Sequence, residues 1–243
     1  MEKITSTAND TVKKAAALSQ KKYRDETNLF LAEGEKAIEG LFNTGFEPVE
    51  IFTKKDTNIK CDKKYLVNDA ILSKISTTKT PCEIIGIFKQ KKYNLFDIIK
   101  KKKILLLENI KDAGNLGTIL RACKAFDIEA VLLLGDTIDL YNPKVVRASV
   151  GCFDLPVINI NYENLKNFEN HTIYSTALYE DSISIKKIKF KEPFIIAFGS
   201  EANGLTEEFL KNKTVNIKIE TNTEVESLNL ASAVSICLYE IYN

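Results

Sequence analysis

The residue types that could do chemistry gather in three stretches: 109–121, 199–205 and 222–229. The first holds Asn115 and Arg121 around two glycines, the second reads Gly-Ser-Glu-Ala-Asn-Gly-Leu, and the third contains Ser227 and Asn229. Each follows a predicted strand and leads into a predicted helix, and open parallel sheets bind ligands outside their strand C-terminal ends. The usual nucleotide motifs fail. Gly199 and Gly204 have P-loop spacing, but Leu205-Thr206 stand where Lys and Ser or Thr must reach phosphate and magnesium. Gly114-x-x-Gly117 is not the dinucleotide fingerprint, and no acidic residue stands about twenty positions on. His171, the single histidine, has no G-x-S-x-G partner motif, so a serine hydrolase is poorly supported and it reads as a surface histidine. Glu201 suits a general base or a helix cap equally well. The residues alone therefore indicate a ligand site assembled from three loops.

Those loops need a parallel sheet behind them. Residues 104–107, Ile-Leu-Leu-Leu, form the continuous apolar run of a strand buried on both faces. Further strands are predicted over 130–134, 155–158, 172–176, 194–198 and 215–219, and these with interleaved helices form a parallel α/β sheet. Helices are predicted up to residue 126, over 141–152, near 162–168 and over 206–210. The closing stretch 223–240 reads as a loop and then a helix apolar on nearly every face, with Ser227 and Asn229 in the helix's first turn. Such a helix must be buried all round, although chain ends usually fray. Upstream, helices over 8–22, 35–42 and 71–75 alternate with strands over 28–34, 48–52, 64–67 and 81–88, a second α/β unit. Lys-rich segments at 89–103 bracket its exit, which divides the chain into domains 1–95 and 96–243.

Composition narrows the class. At 44% hydrophobic and 28% charged, the chain is ordinary globular protein. No apolar run approaches the roughly 20 residues of a membrane span, and the N-terminus lacks the apolar stretch of a signal peptide. The five cysteines are scattered and odd in number, against a disulfide framework or a zinc site and for reduced thiols in the cytoplasm. A net charge of +1 conceals an asymmetry: residues 1–103 carry 21 Lys and Arg against 14 Asp and Glu, and residues 104–243 carry 13 against 19. That segregation points to a polyanion-facing first part, with Lys-rich genomic bias as the plain alternative. Lys21-Lys22-Tyr23-Arg24 could grip phosphate and stack on a base, or simply be a solvated helix end.

Taken together, the three loops resemble the SpoU/TrmH group of S-adenosyl-L-methionine-dependent RNA ribose 2′-O-methyltransferases, of the SPOUT class. Asn115-Leu-Gly-Thr-Ile-Leu-Arg121 looks like the first motif of that group, and Phe198-Gly-Ser-Glu-Ala-Asn-Gly-Leu205 like the second. Glu226-Ser-Leu-Asn-Leu-Ala-Ser-Ala resembles the third, and Arg147-Ala-Ser-Val-Gly151 a further segment. Ala113 stands where a proline is usual and Cys152 where alanine is common, neither removing a reactive group. The first half is similar to the RNA substrate-binding domain often fused to these enzymes, through Tyr23-Arg24 and Phe30-Leu-Ala-Glu-Gly-Glu-Lys36.

The resemblance implies a small L30e-like α/β domain followed by an α/β-knot domain, a parallel sheet with a trefoil knot. The last helix would then pack in a homodimer interface. Thr176, Gly199, Ile219 and Leu228 would hold the cofactor, while Asn115, Arg121, Glu201, Ser227 and Asn229 surround the methyl group and ribose. Lys21, Lys22, Arg24 and Arg147 would contact RNA, with no metal and no membrane involved. Ribosomal RNA, with guanosine as the nucleoside, is the expected substrate. Transfer RNA is one alternative, and a non-catalytic RNA-binding or ribosome-assembly factor on the same fold is another.

Overall fold

The computed structural model describes residues 1–243 except Leu178, Glu180, Lys213 and 223–226. The elements run β1 (Glu2–Lys3), α1 (Asp10–Ala17), α2 (Lys21–Thr27), β2 (Leu29–Glu33), α3 (Glu35–Asn43), β3 (Pro48–Thr53), β4 (Lys64–Leu66), α4 (Asp69–Ile75) and β5 (Ile84–Lys89). After these come α5 (Leu95–Ile98), β6 (Lys103–Glu108), α6 (Ala113–Ala125), β7 (Ala130–Leu134), α7 (Pro143–Ser149) and β8 (Val157–Ile160). The chain ends with β9 (Thr172–Thr176), β10 (Ile183–Ser184), β11 (Phe194–Phe198), α8 (Glu207–Leu210), β12 (Thr214–Lys218) and α9 (Leu230–Tyr242). One compact unit comprises Met1–Lys91 and Asp139–Asp154, the other Lys92–Ile138 and Leu155–Asn243.

The first unit is a five-stranded sheet in the order β1-β4-β3-β5-β2, with β5 antiparallel to β2 and β3. The helix expected over 8–22 is two helices, because Gln20 is extended (ψ 136) and breaks it. At the break, the Arg24 guanidinium takes the carbonyls of Leu18 and Ser19, at 2.8 and 2.9 Å. It satisfies groups that a helix end leaves without intrahelical partners. The segment Asp139–Asp154, read from sequence with the second half, completes this core instead. α7 packs on β2, and the rings of Tyr141 and Phe153 lie 4.7 and 6.1 Å from that of Phe30. Gly151, at φ +82, sits so close to α3 that a Cβ there would be 2.5 Å from the Gly40 Cα. Only glycine meets both conditions.

The second unit is a seven-stranded sheet in the order β10-β12-β9-β11-β6-β7-β8, and every pairing is parallel. This exceeds the expected count chiefly through β10, whose two residues are too short to show a period. Ile104, Leu105, Leu106 and Leu107 at its centre are all 0% exposed, as their unbroken apolar run requires. β9, β11 and β12 are neighbours, so the loops leaving their C-terminal ends emerge side by side.

Three expectations need correction here. The last helix begins at Leu230, not before Ser227, because Asn229 caps it by accepting from Ala231 N (3.0 Å) and Ser232 N (3.3 Å). Nor is it buried all round within one chain: Val234, Cys237 and Leu238 are buried, whereas Ile236, Tyr239 and Tyr242 are 42%, 58% and 53% exposed. His171 is half-buried rather than a free surface group. Its Nε2 lies 2.8 Å from the Lys101 carbonyl and its ring meets Phe168 edge-on.

Candidate active site

The cavity at the ends of β9, β11 and β12 is walled by Thr176, Phe198, Gly199, Leu205, Ile217, Ile219, Ser227 and Leu228. Its volume is about 420 Å³, within the range of small-molecule sites. All four residues assigned to the cofactor from sequence, Thr176, Gly199, Ile219 and Leu228, line it. The Thr176 hydroxyl donates to Ala197 O at 2.9 Å, so its contribution to the wall is mostly its methyl and backbone. The loop after β11 closes on itself, Ser200 N to Gly204 O at 3.1 Å and Gly204 N to Ser200 O at 2.9 Å. A Cβ on Gly199 would fall 1.8 Å from the Gly204 carbonyl carbon, which is why glycine stands there. Apolar walls broken by backbone amides and carbonyls fit a ligand with a purine ring, since main-chain groups can read its edge while aliphatic residues cover its faces.

At the mouth of the cavity the three loops are joined through their side chains. Asp112 caps α6 and accepts from Asn115 N at 2.8 Å, which fixes the start of that helix. Asn115 Nδ2 donates to Glu201 Oε1 at 2.5 Å, and Asn229 Nδ2 donates to Asn115 Oδ1 at 3.1 Å. Glu201 and Ser227 both reach the cavity wall. The structure thus brings together Asn115, Glu201, Ser227 and Asn229. Arg121 lies on the same helix as Asn115, α6. Six residues beyond Asn115, it is separated from it by about 120° round the helix axis. It is exposed there, and among the described residues nothing bonds it to the network. Glu226, which the sequence assigns to the third motif, lies outside the described residues.

Glu108 is a site residue that sequence reading passed over. It is fully buried and accepts from Thr206 N, Thr206 Oγ1 and Tyr162 Oη. A lone acidic residue ending an apolar strand is the signal that could have found it.

Comparison with known proteins gives the family. Residues 102–239 match the SpoU rRNA Methylase family, and residues 9–86 match the MRM3-like substrate binding domain. The chain belongs to the SpoU rRNA methylase family. It is 31% identical over 250 residues, 99% of each chain, to the 23S rRNA (guanosine(2553)-2′-O)-methyltransferase RlmP of Bacillus subtilis. An AdoMet-bound rRNA methyltransferase from Sinorhizobium meliloti superposes with a TM-score of 0.88 at 29% identity, covering 99% of this chain and 97% of that one. The AviRb methyltransferase of Streptomyces viridochromogenes shares the fold, with a TM-score of 0.85 at 18% identity over 96% of this chain and 97% of its own.

The RNA-facing residues expected of a SpoU protein lie in the first unit, and the structure separates them. Lys21 and Lys22 are exposed on α2 beside the 39% exposed Tyr23. Arg24 is not a surface residue: it is 2% exposed, with Nε and Nη2 donating to Asp139 at 2.8 and 2.5 Å. Its charge is spent inside the fold. Arg147 is half-buried with Nη1 3.7 Å from Glu33, a carboxylate that already accepts from Ser76, Thr77 Oγ1 and Thr77 N. Among the described residues of this SpoU chain, no group of three or more His, Cys, Asp and Glu could hold a metal ion. No helix among them is long and apolar enough to cross a membrane.

Proposed function

We propose that this protein transfers a methyl group from S-adenosyl-L-methionine to a ribose 2′-hydroxyl of large-subunit ribosomal RNA, with guanosine as the target nucleoside. The observation that carries the reading is the Glu201–Asn115–Asn229 chain across three loops at the mouth of a cavity shaped for a nucleoside. The 31% identity to RlmP across nearly the whole of both chains supports the ribosomal substrate and the guanosine.

When bound, S-adenosyl-L-methionine supplies an electrophilic methyl group on a sulfonium sulfur. Backbone groups at Gly199, Ile219 and Leu228 would hold its adenosine half. Asn115 holds the Glu201 carboxylate at the rim, where it can accept a hydrogen bond from a ribose hydroxyl, and Ser227 and Asn229 complete that rim. Arg121 is a poor base, since a guanidinium stays protonated in proteins. Its exposed guanidinium suits a clamp on RNA phosphate and on the developing alkoxide, lowering the hydroxyl's pKa. The RNA phosphate would assist in taking the proton.

The first unit would hold RNA by shape and phosphate contact, with Lys21 and Lys22 as its exposed cations. The exposed Ile236, Tyr239 and Tyr242 face of α9 would be covered by a second copy, making a homodimer around the trefoil-knotted segment. Five free cysteines suit the cytoplasm, where ribosomal RNA is modified. Mass-spectrometric mapping of 2′-O-methyl sites in RNA from cells with and without the gene tests the reading. One 23S rRNA guanosine should lose its methyl group, and an unchanged map would sink the proposal.

A further inference from the structure

We propose that Glu108 is the positioning residue of the cofactor cavity: it fixes Thr206, and through Thr206 the loop 199–205 that forms one wall. The inference rests on reading that cavity as the S-adenosyl-L-methionine site.

A carboxylate with 0% exposure is costly to bury unless its oxygens are hydrogen-bonded. Three donors meet Glu108. Thr206 N donates to Oε2 at 2.7 Å, while Thr206 Oγ1 and Tyr162 Oη both donate to Oε1 at 2.5 Å. Both donors of one threonine thus go to one carboxylate, across 98 residues of sequence. The same Thr206 oxygen accepts from Phe209 N at 3.2 Å and caps α8. Burial and the Glu108 hydrogen bond push the Tyr162 phenol above its ordinary value, so it remains a donor.

The arrangement has a direct route to the cavity. The loop is fastened at one end by β11, which pairs on both sides, and at the other by Thr206. Leu205, next to Thr206, is 8% exposed and lines the cavity, as do Gly199, Glu201 and Asn203 between the two anchors. Releasing Thr206 frees that wall without touching any residue that faces the ligand. A glutamine at 108 keeps the shape but offers one acceptor oxygen where three donors need two, so one donor is left buried and unmet.

Calorimetric titration of S-adenosylhomocysteine into full-length wild type, Glu108→Gln, Thr206→Val and Thr206→Ser, with melting temperatures alongside, tests the proposal. Glu108→Gln and Thr206→Val should bind about tenfold more weakly. Thr206→Ser, which keeps both donors, should recover most of the affinity. In methyl transfer the loss should appear in the KM for S-adenosyl-L-methionine, with kcat at saturation nearly kept. Wild-type affinity in both weakened variants overturns the clamp, as does a loss that only tracks melting temperature and is not rescued by serine. If Glu108→Gln does not fold, Thr206→Val decides. A wild type that binds no S-adenosylhomocysteine removes the cofactor reading itself, and the clamp with it.

Discussion

Arg24 and Asp139, 115 residues apart, form a buried ion pair in which Nε and Nη2 share one carboxylate oxygen. The remaining donors bind the carbonyls at the end of α1, so the arginine ties together a helix end and the start of a remote segment. Removing one partner of such a pair leaves an uncompensated buried charge. Arg24→Ala should therefore cost about 3–5 kcal/mol of stability, read from urea unfolding of the intact protein. Lys21→Glu with Lys22→Glu should leave that transition in place and weaken RNA binding with a shallower salt dependence. If instead the double lysine variant unfolded early and Arg24→Ala did not, the two roles would have been assigned the wrong way round.

How much of this was legible in the sequence follows from the range of the forces involved. The runs at 104–107, 130–134 and 194–198 named their own strands, because a strand buried on both faces has no polar choice to make. The cavity-lining Thr176, Gly199, Ile219 and Leu228 were legible only through the resemblance of the loop motifs at three strand ends to a known family. Arg24 was misread because a basic cluster looks alike whether one of its members points to solvent or to a carboxylate 115 residues away. The placement of Asp139–Asp154 in the first unit was hidden for the same reason: it rests on Tyr141 and Phe153 meeting Phe30, contacts with no local signature. Glu108 stood in plain sight, but its importance depends on Thr206 and Tyr162 arriving from elsewhere.

The Asn115–Glu201 hydrogen bond predicts a split between binding and turnover. Neither side chain forms the apolar walls of the cavity, so Asn115→Ala and Glu201→Gln should hold S-adenosylhomocysteine within about threefold of wild type while methyl transfer falls about 10²-fold through lost orientation. Arg121→Lys should also lose turnover, because a planar fork cannot be replaced by a point charge. Full activity in any of the three would remove that residue from the reaction.

Gly199 makes a sharper structural demand than the other glycines of the site. A Cβ at 1.8 Å from the Gly204 backbone must force the loop open. Gly199→Ala should abolish S-adenosylhomocysteine binding while the protein remains folded, since the clash lies in a surface loop and not in the sheet. Tight binding by the alanine variant would mean that the loop does not form the cofactor wall.

The thiols and phenols predict how stability responds to alkali. Burial raises Cys123 above the ordinary thiol value of 9.0 and pushes Cys237 up to about 12. Cys61, Cys82, Tyr65 and Tyr162 are also raised, each chiefly by burial. A raised group binds its proton more tightly in the folded state than in the unfolded chain. Its contribution to stability is complete below the unfolded pKa and is lost as pH rises through the folded value. The urea midpoint should accordingly begin to fall near pH 9 and continue downward, with Cys237→Ala flattening part of that slope. Alkylation gives an independent reading of the same property. At pH 8 iodoacetamide should spare Cys123 and Cys237, which are 0% and 1% exposed, and should modify all five thiols in urea. Rapid labelling of Cys237 in the folded protein would show that the packing of α9 against α6 opens under native conditions.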